Sequence, residues 1–332
     1  MSYEKIISDL KKKIYHPIYF LHGDEPYYID LITDYISEHV LSESEKSFNQ
    51  TVIYGKETSA EEVDNAARRY PMMANHQVII LKEAQHLKNI DKLVYYAEKP
   101  LKSTILVINY KHKKPDKRKK FFKTLSKKAV VFESKKLYDN QVPAWIEKYL
   151  AEKNYKITTK ASVLLTEFLG TELSKIKNEL DKLMLILPEG TKIDDAAIEK
   201  NIGISKDYNN FELQNALRDK DTAKAFRIAK HFASNPKDNP MILTINSLYY
   251  YFSKILTFHY LKDKSKNNAA AELKVHPFFV KDYQTAARKY PIAKAVRIIS
   301  YLREYDMKAK GLGNVSTTHA DLLRELIFKI LH

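Results

Sequence analysis

Cysteine is absent from this 332-residue chain, which excludes disulfides and thiol-ligated metal. Glycine is scarce, with seven residues and no GxGxxG arrangement. No apolar run approaches the ~20 residues of a membrane span, so no transmembrane helix and no membrane partner are expected. The first residues, Met1-Ser2-Tyr3-Glu4-Lys5, lack the charged end and apolar stretch of a secretory signal, and a cytoplasmic address is expected. Aromatics are not scarce: 23 tyrosines and 14 phenylalanines within a 44% hydrophobic composition can build real cores.

Catalytic patterns are also missing. The 11 histidines form no HExxH pair, and there is no Gly-x-Ser-x-Gly elbow. Two acidic pairs, Asp24-Glu25 and Asp194-Asp195, fit helix N-terminal capping better than metal binding, because adjacent side chains point apart. No catalytic residue, metal or cofactor is expected.

What the chain has is an alternating first third. Ile18–Leu21, Thr51–Tyr54, Val78–Leu81, Ile105–Ile108 and Ala129–Phe132 read as five short apolar strands. Between them, Pro26 opens a helix whose Ile29, Ile32, Ile36 and Val40 form one apolar stripe, and Ser59 with Glu62 forms a capping box ahead of Ala60. Apolar strands alternating with helices predict a parallel sheet covered on both faces, in an α/β domain over residues 1–138.

Beyond that point the patterns turn helical, at about 141–153, 159–168, 172–187 and 194–201, then at about 211–218, 221–234, 240–262, 269–274, 278–289, 291–309 and 318–331. Gly203 and the polar stretch Lys206–Asn210 suggest a boundary, so a small helical domain over 139–207 and a larger one over 208–332 are expected.

The turn after the first strand, His22-Gly23-Asp24-Glu25-Pro26-Tyr27, sits where a phosphate-binding loop would sit. One glycine followed by two carboxylates is a poor phosphate cradle. Gly55-Lys56 is the other near miss, with Gln50 replacing the first glycine and Glu57 the metal-binding hydroxyl.

The chain carries 56 Lys and Arg against 41 Asp and Glu, a net +15, which favours a polyanion partner. Lys111–Lys120 concentrates seven cations with one carboxylate, either as a phosphate-tracking loop or as a solvated helix start. Two adjacent methionines, Met72 and Met73, follow Pro71 at a turn; residue type alone favours core filling there, and a greasy tip for a partner is the other reading.

Four stretches carry a family resemblance: "IYFLHGDEPYYIDLITDYI", "RRYPMMANHQVIILKEA", "TILVINYKHKKPDKRKKFF" and "YDMKAKGLGNVSTTHADLLRELIFKIL". In order and spacing, over essentially the whole chain, they resemble the delta-subunit family of the bacterial DNA polymerase III clamp loader. The resemblance implies an AAA+-like first domain with a degenerate nucleotide site, an all-α lid and an all-α collar. It implies a non-catalytic subunit that binds and opens the sliding clamp (beta) for loading onto primed DNA. Partners would be the ATPase subunits and delta prime, assembled through the collar; lack of cysteine excludes the Ser-Arg-Cys motif of those relatives. The clamp grip maps onto Met72 and Met73, stiffened by Pro71, where the family carries a Leu-Phe type of pair. Candidate DNA-proximal residues are Lys113, Lys114, Lys117, Arg118 and Lys119 in the basic loop, with Lys310 and Asn314 in the collar. The competing expectations are a nucleic-acid enzyme, helicase-like NTPase or nuclease, with an atypical site, and a plain architectural DNA-binding protein.

Overall fold

A computed structural model describes residues 1–332. The chain divides into two compact units, Met1–Leu137 with Glu172–Ser174, and Tyr138–Thr171 with Lys175–His332. No helix is long and apolar enough to cross a membrane.

The first unit is an α/β sandwich. Its elements run α1 (Tyr3–Lys11), β1 (Ile18–Gly23), α2 (Pro26–His39), α3 (Glu43–Asn49), β2 (Gln50–Tyr54), α4 (Ala60–Ala67), β3 (Gln77–Lys82), α5 (Val94–Glu98), β4 (Thr104–Lys111), α6 (Lys120–Lys128) and β5 (Val130–Ser134). The five strands are all parallel, in the order β2-β3-β4-β1-β5, and form the parallel sheet expected. Strand periodicity splits each apolar run between two cores. Tyr19 and Leu21 face one way and pack with Ile29, Ile32 and Ile36 of α2. Ile18 and Phe20 face the other and pack with Val63 of α4 and Phe121 and Leu125 of α6.

Thr51–Tyr54 departs from the doubly covered strand that its composition predicts. It forms the sheet edge, leaving Val52 and Tyr54 exposed. Three short helices also escaped the periodicity argument, α1, α3 and α5. Helices of five to nine residues give too few repeats for a 3.6-residue stripe, and α1 owes its place to Ile6 and Leu10 packing against the sheet.

The second unit is helical: α7 (Val142–Ala151), α8 (Thr159–Leu169), α9 (Leu173–Ile186, whose first two residues belong to the first unit), α10 (Asp195–Ile202), α11 (Asn210–Asp219), α12 (Thr222–Ser234), α13 (Met241–Tyr260), α14 (Lys266–Leu273), α15 (Val280–Lys289), α16 (Ile292–Ala309) and α17 (His319–Leu331). Its only strands are a two-residue parallel pair, Lys156–Ile157 with Lys192–Ile193. The core gathers Leu217, Ile228, Phe252, Tyr290, Leu302 and Leu326. The buried Tyr290 hydroxyl finds a partner by donating to the Leu217 carbonyl at 2.8 Å. Lys160 of α8 reaches Asp195 at 2.9 Å and Glu212 at 3.5 Å, tying α8 to both α10 and α11.

Candidate functional site

The α4–β3 connection, residues 68–76, is short and anchored at both ends. At its far end the Gln77 side-chain amide, buried beneath it, donates to the Arg69 carbonyl and to Thr104 Oγ1 at 2.7 Å. Thr104 Oγ1 in turn donates to the Ala67 carbonyl at 2.8 Å. The C-terminal carbonyls of α4, which a helix leaves without intrahelical partners, are thereby satisfied from the sheet.

At the middle, Asn49 of α3 grips Met72 by its backbone. The Met72 N–H donates to Asn49 Oδ1 at 2.7 Å, and Asn49 Nδ2 donates to the Met72 carbonyl at 2.9 Å. Asn49 Nδ2 also donates to the Glu45 carbonyl at 3.1 Å, so the clamp is fixed to its own helix. Asn49 is 4% exposed. At the start, Arg68 pairs with Asp64 at 3.0 Å and donates to the Tyr95 carbonyl at 3.3 Å.

With the backbone held, the side chains point outward. Met72 is 63% exposed and Met73 is 104% exposed, so the core-filling reading of the pair fails. The physical reason is the backbone: Met73 sits at φ +53, a left-handed conformation that breaks the alternation leading into β3 and turns its side chain away. Pro71 is half-buried; Phe48, next to Asn49, and Tyr70, two residues before Met72, are exposed large side chains. The result is an exposed apolar tip of Met72 and Met73 on a backbone anchored by Asn49. Sequence reasoning missed Asn49 and Phe48, which lie over twenty residues upstream with no local signal of the pairing.

The turn after β1 takes a different form from a phosphate cradle. Gly23 has φ +133, and a Cβ there would lie 2.0 Å from the Ser134 carbonyl oxygen of β5. Its glycine serves close strand packing. Glu25 is buried and its Oε1 accepts from the Tyr27 N–H at 3.0 Å, so the N-terminus of α2 carries the protein's own carboxylate where an anion would bind. Gly55 likewise serves close approach, with a Cβ falling 2.4 Å from the Glu83 carbonyl oxygen. The acidic pair at 194–195 is spent on structure: Asp194 caps α10 and Asp195 pairs with Lys160.

The basic loop after β4 is partly neutralised by its own unit. Lys117 lies 4.0 Å from Glu133, Arg118 forms a two-toothed pair with Asp116 at 3.0 Å, and Lys119 meets Asp91 at 2.5 Å. The Arg118 guanidinium pulls the Asp116 carboxyl down to about 2. Lys113 and Lys114 are exposed and have no carboxylate partner. In the second unit, Lys310 pairs with Asp306 at 2.6 Å, and the Asn314 side chain ties to Thr317 at 2.9 Å through both backbone groups. Gly311, at φ +86, terminates α16 there, with the Leu312 N–H returning to Met307.

The family model described as DNA polymerase III, delta subunit matches residues 19–135, and the model of that subunit's C-terminal domain matches residues 207–323. The DNA polymerase III subunit delta of Bacillus subtilis (strain 168) is 26% identical over 313 residues, covering 90% of each chain. The solved structure of the Bacillus subtilis DNA clamp loader delta protein shares the fold, with a TM-score of 0.57 and 24% identity over 99% of each chain. Two models of one family, placed in order at the two ends of the chain, together span well over half of it, and the chain belongs to the DNA polymerase III delta subunit family.

Proposed function

We propose that this chain is a non-catalytic clamp-loader subunit that docks on the sliding clamp through Met72 and Met73 and holds the ring open for loading onto primed DNA. The observation that carries the reading is the apolar tip, exposed yet held by Asn49 at the Met72 backbone. Burying each methionine in a partner pocket contributes about 1.5–3 kcal/mol. Two such anchors amount to at least a hundredfold in affinity, the size of a hot spot. A tip already fixed in shape loses little conformational entropy on docking. Ring opening follows if the tip fits the opened interface better than the closed one, since a ligand shifts a two-state equilibrium only by its differential affinity.

The Glu25 carboxylate on the α2 N-terminus favours the same division of labour: ATP would be bound and hydrolysed by neighbouring subunits. In this reading residues 1–138 engage the clamp, 139–207 form the lid, and 208–332 form the collar that assembles with the ATPase subunits and delta prime in the cytoplasm. The test is binding to purified clamp by the Met72→Ala/Met73→Ala variant. A loss of about a hundredfold or more is expected; undiminished binding would sink the assignment of the tip.

A further inference from the structure

Residues 111–128 hold ten Lys and Arg and a single carboxylate, Asp116. This stretch of +9 supplies most of the +15 of the whole chain, leaving +6 for the other 314 residues. The basic character is therefore local, not a general property of the surface.

Five of those cations are already paired: Lys111 with Asp30, Lys117 with Glu133, Arg118 with Asp116, Lys119 with Asp91 and Lys120 with Glu98. Lys123 and Lys127 are exposed without a carboxylate, and the Lys128 ammonium donates to the Glu98 carbonyl at 2.5 Å. The sequence of α6 explains the placement. Phe121 and Leu125, four residues apart, enter the core beneath the sheet, which turns Lys120, Lys123 and Lys127 outward along the other face at spacings of three and four.

Between α5 and α6 this face borders an open groove of about 290 Å³, lined by Glu98, Lys120, Lys123, Thr124, Lys127 and Lys128. Tyr95, 66% exposed, lies one turn before the lining residue Glu98 on the same face of α5. Lys92 and Lys120 both lie close enough to feel its phenolic oxygen. A cationic groove with an exposed aromatic ring beside it is the combination that takes a nucleic-acid single strand: lysines follow the phosphates and the ring stacks on a base without reading its identity.

We propose that the α5–α6 groove binds single-stranded DNA, with Lys123, Lys127 and Lys128 on the phosphates and Tyr95 stacked on a base. Unpaired lysines favour this over a site that must first break its own ion pairs. A duplex would use the lysines but not the ring, whose partner must be an unstacked base. An acidic protein segment would likewise leave Tyr95 idle. The groove shares no lining residue with the methionine tip, although Arg68, at the start of the tip loop, donates to the Tyr95 carbonyl.

The test uses the full chain and a labelled oligothymidylate of about 20 nucleotides, with a duplex of equal length as comparison. For Lys123→Glu/Lys127→Glu, oligothymidylate affinity at about 50 mM salt is expected to fall at least tenfold, and the slope of log K against log salt to shrink by about 1.4. Tyr95→Ala is expected to weaken the single strand at least fivefold while leaving the duplex unchanged, with Tyr95→Phe retaining binding. Clamp affinity of these surface variants should match the unmodified chain, which separates this site from the tip. Unchanged oligothymidylate binding in the charge-reversal variant overturns the proposal. Equal losses for both DNA forms with no effect of Tyr95→Ala overturn the single-strand assignment, and tighter binding of poly-glutamate than of oligothymidylate assigns the groove to an acidic protein instead.

Discussion

Asn49 holds Met72 by both backbone groups, accepting from its N–H at 2.7 Å and donating to its carbonyl at 2.9 Å. The contact joins the end of α3 to a loop 23 residues further along the chain, and it fixes the tip without touching the side chains that would dock. Removing it should therefore separate the shape of the tip from its chemistry. Asn49→Ala leaves two backbone groups without partners and is expected to cost about 2 kcal/mol of stability by urea unfolding. Clamp affinity should fall about tenfold with both methionines still present, because docking must then order the loop.

Met73 occupies left-handed backbone at φ +53, where a side chain is strained and glycine is not. Relief of strain and the extra freedom of glycine in the unfolded chain nearly offset each other. Met73→Gly should therefore unfold within about 1 kcal/mol of the natural chain, yet lose at least tenfold in clamp affinity, as titration of clamp into each protein would measure. A variant that unfolds much earlier would place Met73 in the fold's stability rather than in docking.

Gly23 is paired with Ser134 across β1 and β5, and a Cβ there would fall 2.0 Å from a backbone oxygen that cannot rotate away. Gly23→Ala combines that clash with a positive φ, and a loss of about 3–5 kcal/mol is expected from thermal or urea unfolding. A mild effect would mean that β5 can shift to make room.

Glu25 is buried at the α2 N-terminus; burial pushes its carboxyl above the usual value of 4.5, against the pull of the Tyr27 N–H. The unfolded chain releases this proton first as pH rises, so between 4.5 and the raised value the folded state holds more protons. Stability falls as pH climbs through that window, and the cost is fully present above it. Glu25→Gln keeps an acceptor for Tyr27 but removes the titration. Urea midpoints measured across pH should show a flatter profile from 4.5 upward, with the variant at least as stable as the natural chain at neutral pH.

Much of the architecture was written locally. Five apolar runs became five parallel strands, with β1, β3 and β4 burying side chains on both faces, and the Ser59–Glu62 capping box formed as the spacing indicates, with both reciprocal bonds near 3 Å. The edge position of β2 was not legible, since Thr51–Tyr54 is as apolar as a central strand and only the sheet order exposes it. The short helices α3 and α5 were missed for lack of length, and both matter: one supplies Asn49 and the other Tyr95.

The sequence by itself determined the sheet class, the helical second half, the poor phosphate cradle after β1 and the concentration of charge after β4. Each follows from periodicity, residue type or spacing, which are local properties of a chain. Only the tertiary structure decided that Met72 and Met73 face outward, because their direction depends on a backbone twist fixed by Asn49 and Gln77 from distant elements. The same holds for the lysines. The sequence counts them, but which ones are already neutralised depends on carboxylates such as Asp30, Asp91 and Glu98 that folding carries to them from other parts of the chain.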